Sequence, residues 1–352
     1  MSISRRKFLA DISAVALAPL AVWCDDAPNE LENTLIAFSY YAGLGGRGPP
    51  ESNSRIYTVR PRFEESAVVG ANLEQLTDFY AVRPAWSPDG RKIAFVGSSD
   101  MMHGSGVYVM NGDGSEARML PHTFSRWCSN PAWSPDGTRI AFASDLFDPT
   151  LWNIYVTDSD GESFPEALST ELLDDSTFDY INPAWMSDDR VFFLKYRFDT
   201  KETSLCSYKI SEELLADEAI PVGHKPINLR YYPDVSAFLF NKVHGDDLRN
   251  VDIYLMRRYG YDVSFGRTSE IAASRGGDPN FRNMELHPSL SPDASRVVFS
   301  SGMNSIVGTK LFMVDSDDTN LTELQINDPI MDPETAPVLM YPAWSPFLKY
   351  LR

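Results

Sequence analysis

One short stretch of this chain is written again and again. Arg83-Pro-Ala-Trp-Ser-Pro-Asp-Gly-Arg-Lys-Ile-Ala-Phe95 returns as Asn130-Pro-Ala-Trp-Ser-Pro-Asp-Gly-Thr-Arg-Ile-Ala-Phe142, and again, worn, from Asn182 to Phe193. A degraded copy runs from Asn228 to Phe240, a clearer one from His287 to Phe299, and a last one begins at Tyr341. The equivalent positions Pro84, Pro131, Pro183, Leu229, Pro288 and Pro342 stand 46 to 59 residues apart. A repeat of this period cannot bury its apolar face alone, so neighbouring units must stack, and several strands per unit point to propeller blades.

Each unit parses into four strands. The Pro-Ala-Trp segment is the first, and Ser-Pro-Asp-Gly, with Pro and Gly at turn positions, ends it. Apolar runs such as Ile93–Val96 and Ile140–Ala143 are the second. Val107–Met110 and Asn153–Val156 are third strands, and a weaker fourth follows the turns at Asn111-Gly-Asp-Gly114 and Asp158-Ser-Asp-Gly161. Near the start, Thr34–Phe38, Arg55–Val59 and Leu73–Thr77 read as second, third and fourth strands without a first. Tyr341–Trp344 supplies it from the other end of the chain, which would close the ring and remove an exposed edge. The expectation is all-β: a six-bladed β-propeller of four-stranded antiparallel blades, closed by a composite blade from both termini, as one domain over 31–352.

The Pro-x-Trp-Ser-Pro-Asp-Gly-x-x-Ile-Ala-Phe repeat resembles that of the TolB-like propellers, from about Asn33 onward. The resemblance implies an envelope protein that binds a Pal-like lipoprotein, without the α/β domain that precedes the propeller in TolB and engages TolA. Related repeats occur before the hydrolase domain of prolyl-oligopeptidase-like enzymes, whose Gly-x-Ser-x-Gly elbow has no counterpart here. Oligogalacturonate lyases also resemble it and use a histidine-bound metal, so the fold leaves an enzyme as the alternative.

Residues 1–30 read as an address and short linker. Ser4-Arg5-Arg6-Lys7-Phe8-Leu9 followed by a mild apolar stretch to Trp23 resembles a twin-arginine export signal, with Arg5 and Arg6 as the pair. Cys24, closing that stretch, is the candidate for lipidation and membrane anchoring. The expected location is periplasmic or otherwise extracytoplasmic.

Composition narrows the partners. With 49 Asp and Glu against 31 Lys and Arg the formal charge is −18, which leaves no phosphate-neutralising surplus and excludes a nucleic-acid binder. The 43% hydrophobic content is too high for an acidic disordered tail. Three cysteines exclude a disulfide-dense mini-fold; Cys128 and Cys206 could pair only across blades.

The repeated Trp86, Trp133, Trp185 and Trp344 are read as inter-blade packing, and Asp89, Asp136, Asp234 and Asp293 as turn caps. Binding is expected on the face carrying the long, variable loops. There Arg126 and Trp127 precede a group of acids and aromatics: Asp145, Phe147, Asp148, Trp152, Asp174, Asp175, Phe178, Asp179 and Tyr180. These are the candidate binding residues. His103, His122, His244 and His287 are weak metal candidates, since no two stand at ligand spacing. The preferred reading is a monomeric, non-catalytic module without cofactor that binds an envelope protein or peptide. The alternative is a carbohydrate-active or sugar-binding propeller using a loop metal or carboxylates.

Overall fold

The computed structural model describes residues 30–41, 54–64, 67–99, 104–168, 177–197, 199–218, 226–243, 251–259, 264–271, 285–302, 309–326 and 338–348. Arg5, Arg6, Cys24, His103, Asp174, Asp175 and His244 lie outside them. Among the described residues there is no α-helix, only short 3₁₀ turns before and between strands. No helix of these residues is long and apolar enough to cross a membrane.

The architecture is all-β and propeller-like. A meander of β1 (Ile36–Tyr41), β2 (Arg55–Glu64) and β3 (Ala67–Gln75) opens the chain. Four four-stranded sheets follow. The first is β4 (Tyr80–Trp86), β5 (Lys92–Ser98), β6 (Gly106–Asn111) and β7 (Arg118–Met119). The second is β8 (Cys128–Trp133), β9 (Arg139–Ser144), β10 (Asn153–Asp158) and β11 (Glu166–Ala167). The third is β12 (Asp179–Ser187), β13 (Arg190–Arg197), β14 (Glu202–Lys209) and β15 (Leu214–Glu218). The fourth is β16 (Pro226–Tyr232), β17 (Ala237–Val243), β18 (Val251–Tyr259) and β19 (Ser264–Ile271). Then come β20 (Glu285–Leu290), β21 (Arg296–Ser301), β22 (Lys310–Asp315), β23 (Thr322–Ile326) and β24 (Val338–Trp344).

These last strands join the opening meander in one eight-stranded sheet, ordered β20-β21-β22-β23-β3-β2-β1-β24. Within it β24 runs antiparallel to β1, Ile36 opposite Trp344, so the strand from the far end of the chain sits where the sequence expected it. A short parallel ladder, Leu324 opposite Val68, links β23 to β3. Gly70 makes that approach: a Cβ there would meet Val59 at 2.6 Å and Ile326 at 3.0 Å.

β2 and β3 form a longer hairpin than the sequence suggested, reaching the Glu64–Ala67 pair. Pro61 lies past the Ile36–Val59 pair, beyond which β1 no longer flanks the strand, and there a missing N–H costs little. The worn fourth repeat has a defined register: Tyr232 pairs with Ala237 around a 3₁₀ turn, with Ser236, one residue past the glycine place of the intact turns, at φ 48°.

Strands such as β5 and β9 are buried on both faces, because each sheet is covered by its neighbours. The core is therefore divided among the gaps between sheets. One gap packs Ala94, Val96 and Val109 against Ile140, Phe142 and Tyr155. The repeated tryptophans stitch these gaps at their inner ends. Trp86 Nε1 donates to the Ala343 carbonyl (3.2 Å), Trp133 to that of Ala85 (3.0 Å) and Trp185 to that of Ala132 (3.0 Å). Each alanine immediately precedes the tryptophan of the neighbouring repeat, so the bonds run as a relay around the axis.

Candidate functional site

The edge strands β4, β8, β12, β16, β20 and β24 face a common axis and wall a cavity of about 380 Å³. Each repeat opens with a residue that interrupts its strand. Arg83, Asn130, Asn182, Asn228, His287 and Tyr341 all adopt positive φ, between 51° and 58°. The ladder register slips at the same place, as between Val82 and Ala85 or between Ser129 and Ala132. This is a bulge repeated on every axial strand, and it re-aims one side chain per repeat toward the axis. Asparagine, which tolerates the left-handed region best after glycine, fills three of the places. The other three carry Arg, His and Tyr. All six line the cavity, forming a polar neck.

The neck is asymmetric. The Arg83 guanidinium lies 4.2 Å above the Tyr341 ring and donates to Asn130 Oδ1 at 3.2 Å. The His287 and Tyr341 ring centres are 3.9 Å apart. Arg230, two residues beyond the bulge, donates to the Pro342 carbonyl (3.2 Å) and to Ser289 Oγ (3.4 Å). His287 is 8% exposed and its Nδ1 has no hydrogen-bond partner. Burial pushes its imidazole well below the usual histidine range, and the charges of Arg83 and Arg230 push the same way.

Beyond the neck a second cavity, of about 840 Å³, opens toward the long loops. Arg83 and Tyr341 line both cavities and so stand between them. Three of the residues expected to bind are on its wall: Arg126, Trp127 and Trp152. Trp127 is 50% exposed. Its backbone is held by Asp145, whose Oδ1 accepts from Trp127 N–H at 2.8 Å, while the Trp127 carbonyl accepts from Ser144 Oγ at 3.0 Å. Asp145 thus acts as a brace for the tryptophan loop.

The remaining candidates are not brought to this wall. Phe147 is 64% exposed, edge-on to Tyr155. Asp148 closes its own loop by accepting from Thr150 N–H and Oγ1, which hold its carboxyl below the usual range. Asp179 accepts from Trp152 N–H at 3.0 Å; burial nevertheless pushes its carboxyl up. Tyr180 is interior, 1% exposed and edge-on to Phe193. Phe178 lies beneath Lys195 Nζ (3.9 Å) and the Arg197 guanidinium (4.4 Å).

His287 belongs to the neck, whereas His122 stacks on Phe164 at 3.7 Å. Among the described residues no three His, Cys, Asp or Glu side chains converge as a metal site would require. Cys128 and Cys206 are both buried and free.

The sequence reading passed over the neck apart from His287. A signal was present: the residue at the head of each repeat varies among Arg, Asn, His and Tyr, while the Pro-Ala-Trp after it recurs in four of the six.

No protein-family model and no curated protein matches the chain. Solved structures do. TolB from Acinetobacter baumannii superposes with a TM-score of 0.64 at 16% identity, covering 89% of this chain and 67% of that one. The hydrazine synthase of Kuenenia stuttgartiensis gives 0.61 at 14% identity, covering 90% of this chain and 47% of the enzyme. A chain of a nidogen/laminin complex gives 0.59 at 9% identity, covering 89% and 98%. At such identities the likeness shows a TolB-like propeller fold alone.

Proposed function

We propose that this chain is an exported, six-bladed propeller that binds a protein or peptide partner at the loop-side mouth of its channel. The eight-stranded sheet then counts as two blades joined at their outer strands, the last one composite. Export rests on the Arg5-Arg6 signal, with Cys24 as a lipid anchor, and the TolB-like fold suggests an envelope partner resembling the lipoprotein Pal. The observation that carries the reading is at the mouth: Trp127, half-exposed, stands with Arg126 and Trp152 on the wall of the 840 Å³ cavity. Large aromatics and arginine on a preordered wall are the residue types that anchor partners at little ordering cost.

Cross-linking and affinity capture from envelope extract test it, with Trp127→Ala as the control. One envelope protein recovered at near-equal amount, and lost with Trp127→Ala, is the expected result. Recovery of no partner by the intact protein overturns the reading.

A further inference from the structure

The chain has far more carboxylates than cations, yet its two axial arginines face none. Among the described residues, Arg83 and Arg230 form no ion pair within 4.0 Å; their side-chain partners are Asn130, Ser289, the Pro342 carbonyl and the Tyr341 ring. Half-buried guanidinium groups ordinarily sit against a carboxylate, since neutral acceptors leave much of the desolvation uncompensated. His287, on the same cavity wall and 92% buried by its 8% exposure, keeps an unpartnered Nδ1. Two positive charges and an unused ring nitrogen therefore border one 380 Å³ cavity.

We propose that the neck is a binding site for a single carboxylate group, gripped by Arg83 and Arg230 with His287 beside it. The geometry favours a planar anion. The face of the Arg83 guanidinium is taken by Tyr341 and one N–H by Asn130, so its remaining donors project in its own plane, the arrangement that pairs with a carboxylate fork. The surrounding charge of −18 repels multiply charged anions and leaves a monoanion the better match. The carboxylate belongs either to a free small acid or to the end of a peptide. The inference does not rest on partner binding at the Trp127 rim.

Calorimetric titration of the full chain at constant ionic strength tests it. The probes are acetate, a trialanine peptide with a free C-terminus, the same peptide amidated, and inorganic phosphate. Saturable binding of acetate, or of the free-acid peptide but not its amide, is expected, and which of the two binds identifies the source. Arg83→Gln and Arg230→Gln each raise Kd at least tenfold, while the melting temperature without ligand stays level or rises as an uncompensated charge is removed. Should a glutamine variant fold poorly, Arg83→Lys keeps the charge, loses the fork and still weakens binding. Phe164→Ala, at an exposed ring that lines neither cavity, leaves carboxylate affinity unchanged. Absence of saturable carboxylate binding, affinity indifferent to both arginines, or phosphate bound as tightly as carboxylate would each overturn the proposal.

Discussion

At the scale of single residues, the repeated tryptophan does two things at once. Its ring fills the inner end of a gap between sheets, and its N–H satisfies a carbonyl on the next axial strand. Trp133 is 9% exposed and donates to Ala85 at 3.0 Å. Trp133→Phe keeps most of the ring and removes the donor, leaving the Ala85 carbonyl short of a partner. We expect a loss of about 1–3 kcal/mol, read as a lower urea midpoint with unchanged slope. A midpoint equal to the wild type would mean that water replaces the indole at no cost. The relay breaks at the fourth and fifth repeats, which have Tyr231 and Leu290 at the tryptophan place and where Tyr232 Oη accepts from Leu290 N–H instead, and at Trp344, whose indole N–H turns to Thr34 Oγ1.

At the scale of elements, the Ser-Pro-Asp-Gly turn is a closed hydrogen-bonded unit. Asp136 Oδ1 accepts from Ser134 Oγ (2.6 Å), Thr138 N–H (2.9 Å) and Thr138 Oγ1 (2.8 Å), and Gly137 takes φ 72° to let the chain return. Burial works to raise the Asp136 carboxyl, but these bonds and Arg139 outweigh it and hold the group below its ordinary value; Asp89 is lowered likewise. The folded state thus holds its proton less tightly than the unfolded chain does. The turn's contribution is fully present above the ordinary carboxylate pKa of about 4 and is lost as pH falls through the lowered folded value. Asp136→Ala should therefore cost about 0.5–1.5 kcal/mol at pH 7, and the gap from wild type should be smaller at pH 3. A gap independent of pH, measured by denaturant unfolding at both values, would refute this.

Such turns, and the strand that follows each, were legible because constant residues announce constant structure. The neck was not, for the converse reason. Reading for what repeats selects Pro-Ala-Trp and discards the varying residue before it, although the backbone turns that residue toward the axis. The rim was half-legible. Arg126 and Trp127 sit in a loop whose composition shows, but the burial of Tyr180 depends on which side of β12 it occupies.

At the scale of the molecule, the seam between the chain's two ends decides whether the separate gaps make one cooperative unit. β24 pairs with β1 along its length and buries Val338, Leu339, Ala343 and Trp344, all at 8% exposure or less. Trp344 Nε1 donates to Thr34 Oγ1 at 2.7 Å, its backbone N–H to Ser289 Oγ at 3.0 Å, and Leu348 N–H reaches the Asn33 carbonyl at 3.3 Å. One strand thereby ties the opening meander to β20, at the opposite end of the eight-stranded sheet, and through the Trp86 bond to Ala343 also to β4. Loss of a buried tryptophan alone costs about 3–5 kcal/mol, against a total stability of about 5–15 kcal/mol for a typical domain. Removing β24 also bares the unpaired edge of β1, a template for association with other chains. A chain ending at Pro337 should lose its cooperative thermal transition and aggregate, while Trp344→Ala should keep a single transition at a lower midpoint. If the shortened chain melted cooperatively within a few degrees of the intact one, the sheets would be holding together through their gaps, and the seam would be a convenience of topology instead of a condition for folding.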